Sequence, residues 1–488
     1  MFRCARPHLD EDLANYAMSI AQKTGADYAE VRLQRNRDTE CLLKNGVPEP
    51  AVLVDSYGLG MRVLVEGALG FAATNDLSRG NIRRTAAQAV KTARASLNMV
   101  KESVRFSPEK LGKAKWQAEE KEKLEDVGVD RIFKLLRELD GSLTGEKHGV
   151  SFPNRMLFAI TMVEEKLIVN SDGAELQSRV PRFQFYSYLA AIHGGKSFTV
   201  TLPPGYSQLA ESGGWEVVDR LHLHNFVSTE AENLAQAVKA EQNPPSETVD
   251  VILGPEVTGL VSHESSGHPG EADRILGREA AQAGESYLKK GDIDYQVGSS
   301  EAFVSDDPTL PHSMGFYLYD DEGVRARKRR LIEAGTIKEI LHNRATAFEF
   351  RLTSNGSSRA SLFDREPIVR MANTYVEPGD STLDEILKGV RRGVHIKSFM
   401  EWNIDDKRLN QRYVGLEAYL VENGEVTTRL KSPVLEITTP KFWGSIDARG
   451  KDLVFRGGHC GKGDPMQAIP VWTGGPTVRL RGLRVGRR

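Results

Sequence analysis

His263-Glu264-Ser265-Ser266-Gly267-His268 places two imidazoles and a carboxylate within six residues. The apolar stretch 249–253 before it is typical of a buried strand. Gly254-Pro255 then starts a helix, because proline suits the first helical turn, and Pro269-Gly270 ends it. The sequence therefore predicts a strand, a short helix and a polar cluster at the carboxyl end of that helix.

The spacing of the two histidines departs from the common zinc-protease helix, in which the ligands stand at i and i+4. Here they stand at i and i+5, about 140° apart on a regular α-helix, too far round the axis to share one ion easily. A single π turn would return both rings to one side. Gly267 and Pro269 suit a helix end distorted in this way. If the two histidines bind one metal ion, we therefore predict a π turn and a third ligand from elsewhere in the chain. The alternative is that they are polar surface residues brought together by chance.

Composition narrows the class of protein. A chain of 488 residues is long enough for two or three domains, and its net charge of −2 gives no basic footprint for nucleic acid. Residues 1–9 lack the apolar core of a signal peptide, and no apolar run is long enough to span a bilayer. Three cysteines, Cys4, Cys41 and Cys460, make no disulfide framework. We expect a cytoplasmic protein without a nucleic-acid or membrane partner.

The order of elements predicts an α+β protein with a mixed α/β N-terminal domain over 1–244 and a β-rich catalytic domain over 245–488. Asn243-Pro244-Pro245-Ser246 is the best boundary in the chain. The second domain is expected to be a sandwich or distorted barrel that carries the metal-binding helix. Predicted helices cover 10–23, 82–97, 130–139, 216–240 and 382–387. Predicted strands cover 29–33, 61–65, 69–74, 156–163, 166–170, 182–191, 197–202, 316–318, 328–332, 336–342, 413–422, 426–430 and 454–457. The charged run 109–126 is expected to be a solvated connection.

A second unusual stretch lies near the end of the chain, Gly457-Gly458-His459-Cys460-Gly461-Lys462-Gly463-Asp464. Glycines around one cysteine let the backbone approach another group closely. Composition alone leaves two interpretations open, a metal ligand and a flexible surface loop with an incidental thiol.

The sequence resembles the TldD half of the TldD/PmbA group of metallopeptidases. The matching stretches run along nearly the whole chain and end at the glycine-flanked Cys460. They are Asp27-Tyr28-Ala29-Glu30-Val31-Arg32, Gly58-Leu59-Gly60-Met61-Arg62-Val63, the histidine motif, Glu271-x-Asp273, Arg370-Met371-Ala372-Asn373-Thr374-Tyr375 and Glu377-Pro378-Gly379. PmbA-type partners lack the histidine motif, which this chain has.

The resemblance implies that His263, His268 and Cys460 hold one zinc ion per chain and that Glu264 acts in catalysis. Two imidazoles and a thiolate leave one zinc position open for a water of lowered pKa, as in catalytic sites. Glu264 can take the proton of that water as a general base.

Five further residues are candidates for supporting roles. Glu271 and Asp273 could orient the histidines, although a solvated helix edge is an equal alternative. His459, Arg359 and Arg370 could stabilise an oxyanion, although a structural role is the more ordinary expectation for each.

The function that follows is a zinc metallopeptidase acting on unfolded or extended peptides. The resemblance also implies a dimer that encloses the peptide site, either a homodimer or a heterodimer with a PmbA-like subunit. The alternative is a non-catalytic, metal-stabilised binding or assembly subunit. An intact Glu264 argues against that alternative, because a structural zinc ion needs no general base.

Overall fold

The computed structural model describes residues 9–99, 102–279 and 284–488. With 23% helix and 41% strand in several sheets, it confirms the predicted α+β class. Cys4 lies outside the described residues. Within the described part of the chain, no helix is long and apolar enough to cross a membrane.

The N-terminal half is built on one ten-stranded sheet whose main path has the order β10-β8-β7-β1-β3-β4. Its strands are β1 Tyr28–Lys44, β2 Val47–Pro48, β3 Val52–Val65, β4 Ala68–Thr74, β5 Lys113–Gln117, β6 Glu146–Lys147, β7 Val150–Asn170, β8 Glu175–His193, β9 Lys196–Leu202 and β10 Leu209–Ser212. Its helices are α1 Glu11–Lys23, α2 Arg79–Ser96, α3 Val129–Gly141, α4 Val217–Arg220 and α5 Leu223–Ala237, with 3₁₀ turns at Leu97–Met99, Leu124–Asp126 and Pro204–Tyr206.

The long strands β1 and β7 serve two hydrophobic cores. One core packs α1 and α2 on the sheet around residues such as Val31 and Val169. The other packs α3 and α5 around residues such as Leu43 and Leu157. The predicted first helix is confirmed with its cap, because Leu13 N donates to Asp10 Oδ1 at 3.1 Å.

Three expectations for this half were wrong. The stretches 156–163 and 166–170 form one strand, β7, since the chain stays extended and paired with β1 and β8 throughout. The predicted helix 216–240 is broken at His222, whose φ is 46°. The run 109–126 is not simply solvated: β5 pairs parallel with β8, and Glu120 and Glu125 bind Arg179.

The C-terminal half contains two six-stranded sheets, of order β22-β21-β18-β11-β27-β24 and β14-β13-β12-β17-β26-β25, and a four-stranded sheet β19-β20-β23-β28. Its strands are β11 Val249–Leu253, β12 Val304–Asp306, β13 Arg329–Glu333, β14 Thr336–Ile337, β15 Ser358–Arg359, β16 Ile368–Val369, β17 Asn373–Val376, β18 Arg392–Ile396, β19 Phe399–Ile404, β20 Asn410–Gly415, β21 Ala418–Glu422, β22 Glu425–Arg429, β23 Pro433–Thr438, β24 Ile446–Arg449, β25 Val454–Lys462, β26 Gln467–Gly475, β27 Val478–Leu483 and β28 Gly486–Arg487. Its helices are α6 Pro255–Ser262, α7 Ala272–Ile275, α8 Arg344–Phe350, α9 Leu383–Lys388 and α10 Thr439–Ser445, with a π turn at His263–Gly267.

One core joins all three of these sheets and helix α6, with Val251, Val376, Val471 and Tyr413 among its buried members. Two predictions here were wrong. Residues 316–318 are irregular, with a bend at Leu318, rather than a strand, and 413–422 is interrupted after Gly415, so that it contributes to two sheets. The short helix predicted at 382–387 is confirmed as α9, capped by Thr382.

Buried ion pairs join the two halves. Arg62 on β3 contacts both Glu30 on β1 and Glu322 of the C-terminal half at 2.8 Å. Lys166 on β7 contacts Asp321 at 3.1 Å, and all these side chains are at most one-tenth exposed. Buried pairs of this kind demand close geometry, so they fix how the long sheet meets the C-terminal half.

Candidate metal centre

Helix α6 continues directly into the predicted π turn. His268 N donates to His263 O at 3.0 Å, the i→i+5 hydrogen bond that defines such a turn. A Cβ atom at Gly267 would lie 1.8 Å from Sδ of Met371, so any other residue there would force the buried Met371 side chain to move. The π turn confirms the expectation from the i, i+5 spacing.

The turn brings the two histidine rings to one side. Their centroids lie 4.9 Å apart at an interplanar angle of 84°, and both residues are at most 4% exposed. The strand, helix and turn thus produce a pair of converging imidazoles inside the protein.

Cys460 reaches this pair from the hairpin of β25 and β26. Its Sγ lies 3.3 Å from Nε2 of His268, and candidate ligand atoms of His263, His268 and Cys460 all lie within 4.8 Å of one another. Buried Arg370 fixes the hairpin by donating to Cys460 O and, at 2.9 Å, to Gln467 O. The structure therefore brings together the three residues that the sequence suggested as metal ligands.

The chemistry of this trio fits a zinc ion. Burial would raise the pKa of the Cys460 thiol, but His268, Arg370 and His263 outweigh it and hold that pKa well below its usual range. Among the described residues, Nδ1 of buried His263 has no hydrogen-bond partner. A thiolate and two imidazoles are ligands that zinc accepts, with room for a further ligand.

Glu271 orients the second histidine. Its Oε2 lies 3.0 Å from Nδ1 of His268, which directs Nε2 of the ring toward Cys460. Burial would raise the pKa of Glu271, but Lys462, His268 and Arg274 hold it well below its ordinary value. The carboxylate is therefore charged and fixed, as orienting carboxylates beside metal-bound histidines are.

Asp273 does not reach a histidine. It accepts a hydrogen bond from Lys462 Nζ at 2.6 Å, and the same ammonium lies 3.3 Å from Glu271 Oε2. Lys462 and Arg274 were not anticipated. One signal existed for Lys462, because it stands two residues after Cys460 on the same strand and so shares its face.

Glu264 is buried beside the first histidine, and its Oε2 accepts a hydrogen bond from Arg408 Nη1 at 2.5 Å. Arg408 lies in the turn between β19 and β20. No local pattern marks it, since the two residues are 144 positions apart.

The three oxyanion candidates have other surroundings. Arg359 donates to Met371 O at 2.6 Å and to Pro470 O at 2.9 Å. Arg370 donates to the carbonyl oxygens of Cys460 and Gln467. His459 is exposed and projects from the face of β25 opposite to Cys460. The two arginines thus hold the main chain around the site.

Known proteins match this chain along nearly its whole length. Residues 29–93, 122–240 and 246–487 match PmbA/TldA metallopeptidase domain 1, central domain and C-terminal domain, respectively. A metalloprotease of Methanothermobacter thermautotrophicus is 29% identical over 480 residues, which is 98% of this chain and 99% of that protein. The zinc metalloprotease TldD homolog of Saccharolobus solfataricus is 25% identical, over 96% of this chain and 98% of its own length.

Solved structures share the fold. TldE from Thermococcus kodakarensis aligns with a TM-score of 0.77 at 17% identity, covering 97% of this chain and 100% of its own. A putative modulator of DNA gyrase from Thermotoga maritima aligns with a TM-score of 0.76 at 19% identity, covering 98% of this chain and 100% of its own. With all three family domains matched and with TldD homologs among its relatives, the chain belongs to the PmbA/TldD family of metallopeptidases.

Proposed function

We propose that this protein is a zinc-dependent peptidase in which His263, His268 and Cys460 hold one ion and Glu264 is the general base. The observation that carries the proposal is the buried convergence of those three ligands, with a carboxylate directly after the first. In the proposed division of the chain, all four residues belong to the domain 245–488.

The residues divide the chemistry as follows. A bound zinc ion would supply a Lewis acid that polarises the peptide carbonyl and activates water. Glu264 accepts the proton of the attacking water and later delivers one to the leaving amine. Glu271 holds the His268 ring in the tautomer whose Nε2 faces the site. Arg370 holds the carbonyl of Cys460 and thereby the position of its Sγ.

The substrates in this proposal are unfolded or extended peptides. Both imidazoles and Glu264 are buried in the single chain, so a folded globular surface would not present a peptide bond to them. We further propose a cytoplasmic dimer, formed with a second copy or with a PmbA-like subunit, that encloses the site.

The test is digestion of an unbiased peptide mixture by the purified protein, before and after metal removal, with mass spectrometry of the products. We expect cleavage that a chelator abolishes and added zinc restores. Stoichiometric zinc without cleavage of any peptide would favour a metal-stabilised binding or assembly subunit. Cleavage that survives complete metal removal would contradict the proposal.

A further inference from the structure

Arg408 and Glu264 form an ion pair that the zinc-peptidase chemistry does not itself require. Nη1 of Arg408 lies 2.5 Å from Oε2 of Glu264, and the two side chains are only 13% and 7% exposed. We propose that Arg408 is a positioning residue that sets the orientation of the Glu264 carboxylate toward the reacting groups. The inference rests on the proposed function and adds a residue to it.

The backbone of Arg408 is itself firmly held. Its φ of 61° lies in the left-handed region, which costs a non-glycine residue on the order of 1 kcal/mol or more. Arg408 N donates to Asp405 O at 3.0 Å, and Thr439 Oγ1 donates to Arg408 O at 2.7 Å. Bonds on both sides of the residue thus maintain an unfavourable conformation that directs the guanidinium at Glu264.

The same hairpin holds the next residue of the π turn. Ser265 Oγ donates to Gln411 Oε1 at 2.8 Å, and Tyr413 Oη donates to the same oxygen at 2.6 Å. Gln411 and Tyr413 are both on β20, and both are buried. The β19–β20 hairpin therefore contacts two consecutive residues of the motif. Arg408 contacts the carboxylate of Glu264, and Gln411 contacts the hydroxyl of Ser265.

The ion pair has a physical consequence for a general base. A buried carboxylate without a partner is strongly destabilised and turns away toward another donor or toward solvent. Arg408 prevents this while binding Oε2, and a carboxylate has about four acceptor sites, so capacity to accept a proton remains. Orientation of this kind acts on the rate of the chemical step more than on peptide binding.

A neighbouring arginine provides a matched control. Arg412, on β20 of the same hairpin, contacts Glu401 at 2.5 Å, but these side chains are 31% and 41% exposed. Arg408→Ala, Arg408→Lys and Arg412→Ala should be compared for zinc content, kcat and KM on one peptide. We expect Arg408→Ala to keep its zinc, to lose about 10- to 100-fold in kcat and to change KM less than about twofold.

Chemical rescue separates positioning from general destabilisation. Free guanidinium should restore part of the kcat of Arg408→Ala and none in Arg412→Ala, and Arg408→Lys should fall between wild type and Arg408→Ala. Wild-type kcat in Arg408→Ala, or an equal loss in Arg412→Ala, would overturn the proposal. If Arg408→Ala does not fold, Arg408→Lys with an unchanged kcat overturns it.

A readout independent of turnover distinguishes this proposal from the proposed function. If the wild-type protein cleaves no peptide, the peptidase assignment fails, and crystal structures of wild type and Arg408→Ala decide the role of Arg408. We expect the Glu264 carboxylate to leave its position or to occupy several rotamers in the variant, with His263, His268 and Cys460 unmoved. An unmoved Glu264 would refute the positioning role.

Discussion

The Sγ atom of Cys460 lies 3.3 Å from Nε2 of His268, although 192 positions separate the two residues in sequence. The contact joins the π turn at the end of α6 to the hairpin of β25 and β26. Because Glu271, Lys462 and Arg370 fix the two sides of this contact, the trio is preorganised by the surrounding fold.

Substitution of Glu264 can distinguish the role of a general base from that of a metal ligand. Glu264→Gln should lower kcat by about 10²- to 10⁴-fold, because an amide cannot accept the proton of water, while zinc content stays that of the wild type. Parallel assays of peptide hydrolysis and bound zinc check this. Loss of zinc together with activity would mean that Glu264 is a ligand rather than a base.

A comparison of folded and denatured substrates tests whether the active site is enclosed. A stably folded protein should resist cleavage that its denatured form undergoes, because an extended chain must reach groups buried in the protein. The measurement is the initial rate of product formation on one substrate, folded and then irreversibly denatured by reduction and alkylation. Equal rates on both forms would argue for an open site.

Glu271 should affect metal affinity rather than proton transfer. Glu271→Gln should weaken zinc binding by about 10- to 100-fold, because it loses the charged acceptor that orients His268. Competition with a chelator of known affinity measures the effect. Glu436→Gln is the control, since that side chain is 73% exposed on β23 and should leave the affinity unchanged. Equal affinities for wild type and Glu271→Gln would remove Glu271 from the orienting role.

From the surroundings of Asp321 we predict that the folding stability of the protein depends on pH. Burial would raise its pKa, but Lys166 and Arg32 outweigh burial and lower it. Since the folded pKa is below the unfolded value of about 4, the stabilisation is complete above that value and is lost as pH falls through the folded pKa.

Asp321→Asn should therefore lower the free energy of unfolding by about 3–5 kcal/mol at pH 7, and the difference from wild type should shrink below about pH 4. Denaturant unfolding of wild type and Asp321→Asn, at pH 7 and again below about pH 4, measures this difference in free energy. Asp294→Asn is the control, because Asp294 is 70% exposed in its pair with Lys338 and should cost at most about 1 kcal/mol. A difference that is constant with pH would contradict the argument.

Local patterns predicted much of the site. The i, i+5 spacing indicated the π turn because helical geometry dictates where each ring points, and Gly267 stands where a side chain would collide with Met371. Cys460 needed the family resemblance as well, since composition alone left a flexible surface loop as an open alternative. The class of fold followed from the alternation of apolar residues.

Long-range pairing was not predictable. Arg408 and Lys462 are charged residues whose sequence neighbourhoods look solvated, yet each pairs with an acidic side chain more than a hundred positions away. Strand β5 was not predicted for a similar reason. Its charged segment forms a strand because it pairs with β8. Tertiary contacts decided these elements.

The zinc content of the purified protein tests most directly whether Cys460 completes a zinc site with His263 and His268. Cys41 is the matched control: it is equally a buried free cysteine, but burial raises its pKa to about 11, so it remains a neutral thiol. Bound zinc should be measured by elemental analysis on wild type, Cys460→Ser and Cys41→Ser, with the thermal midpoint recorded for each.

We predict one zinc ion per chain in wild type and in Cys41→Ser, and little or none in Cys460→Ser. Because metal binding is coupled to folding, Cys460→Ser should also have the lower thermal midpoint, as should wild type stripped of metal. Full zinc stoichiometry together with wild-type activity in Cys460→Ser would contradict the account.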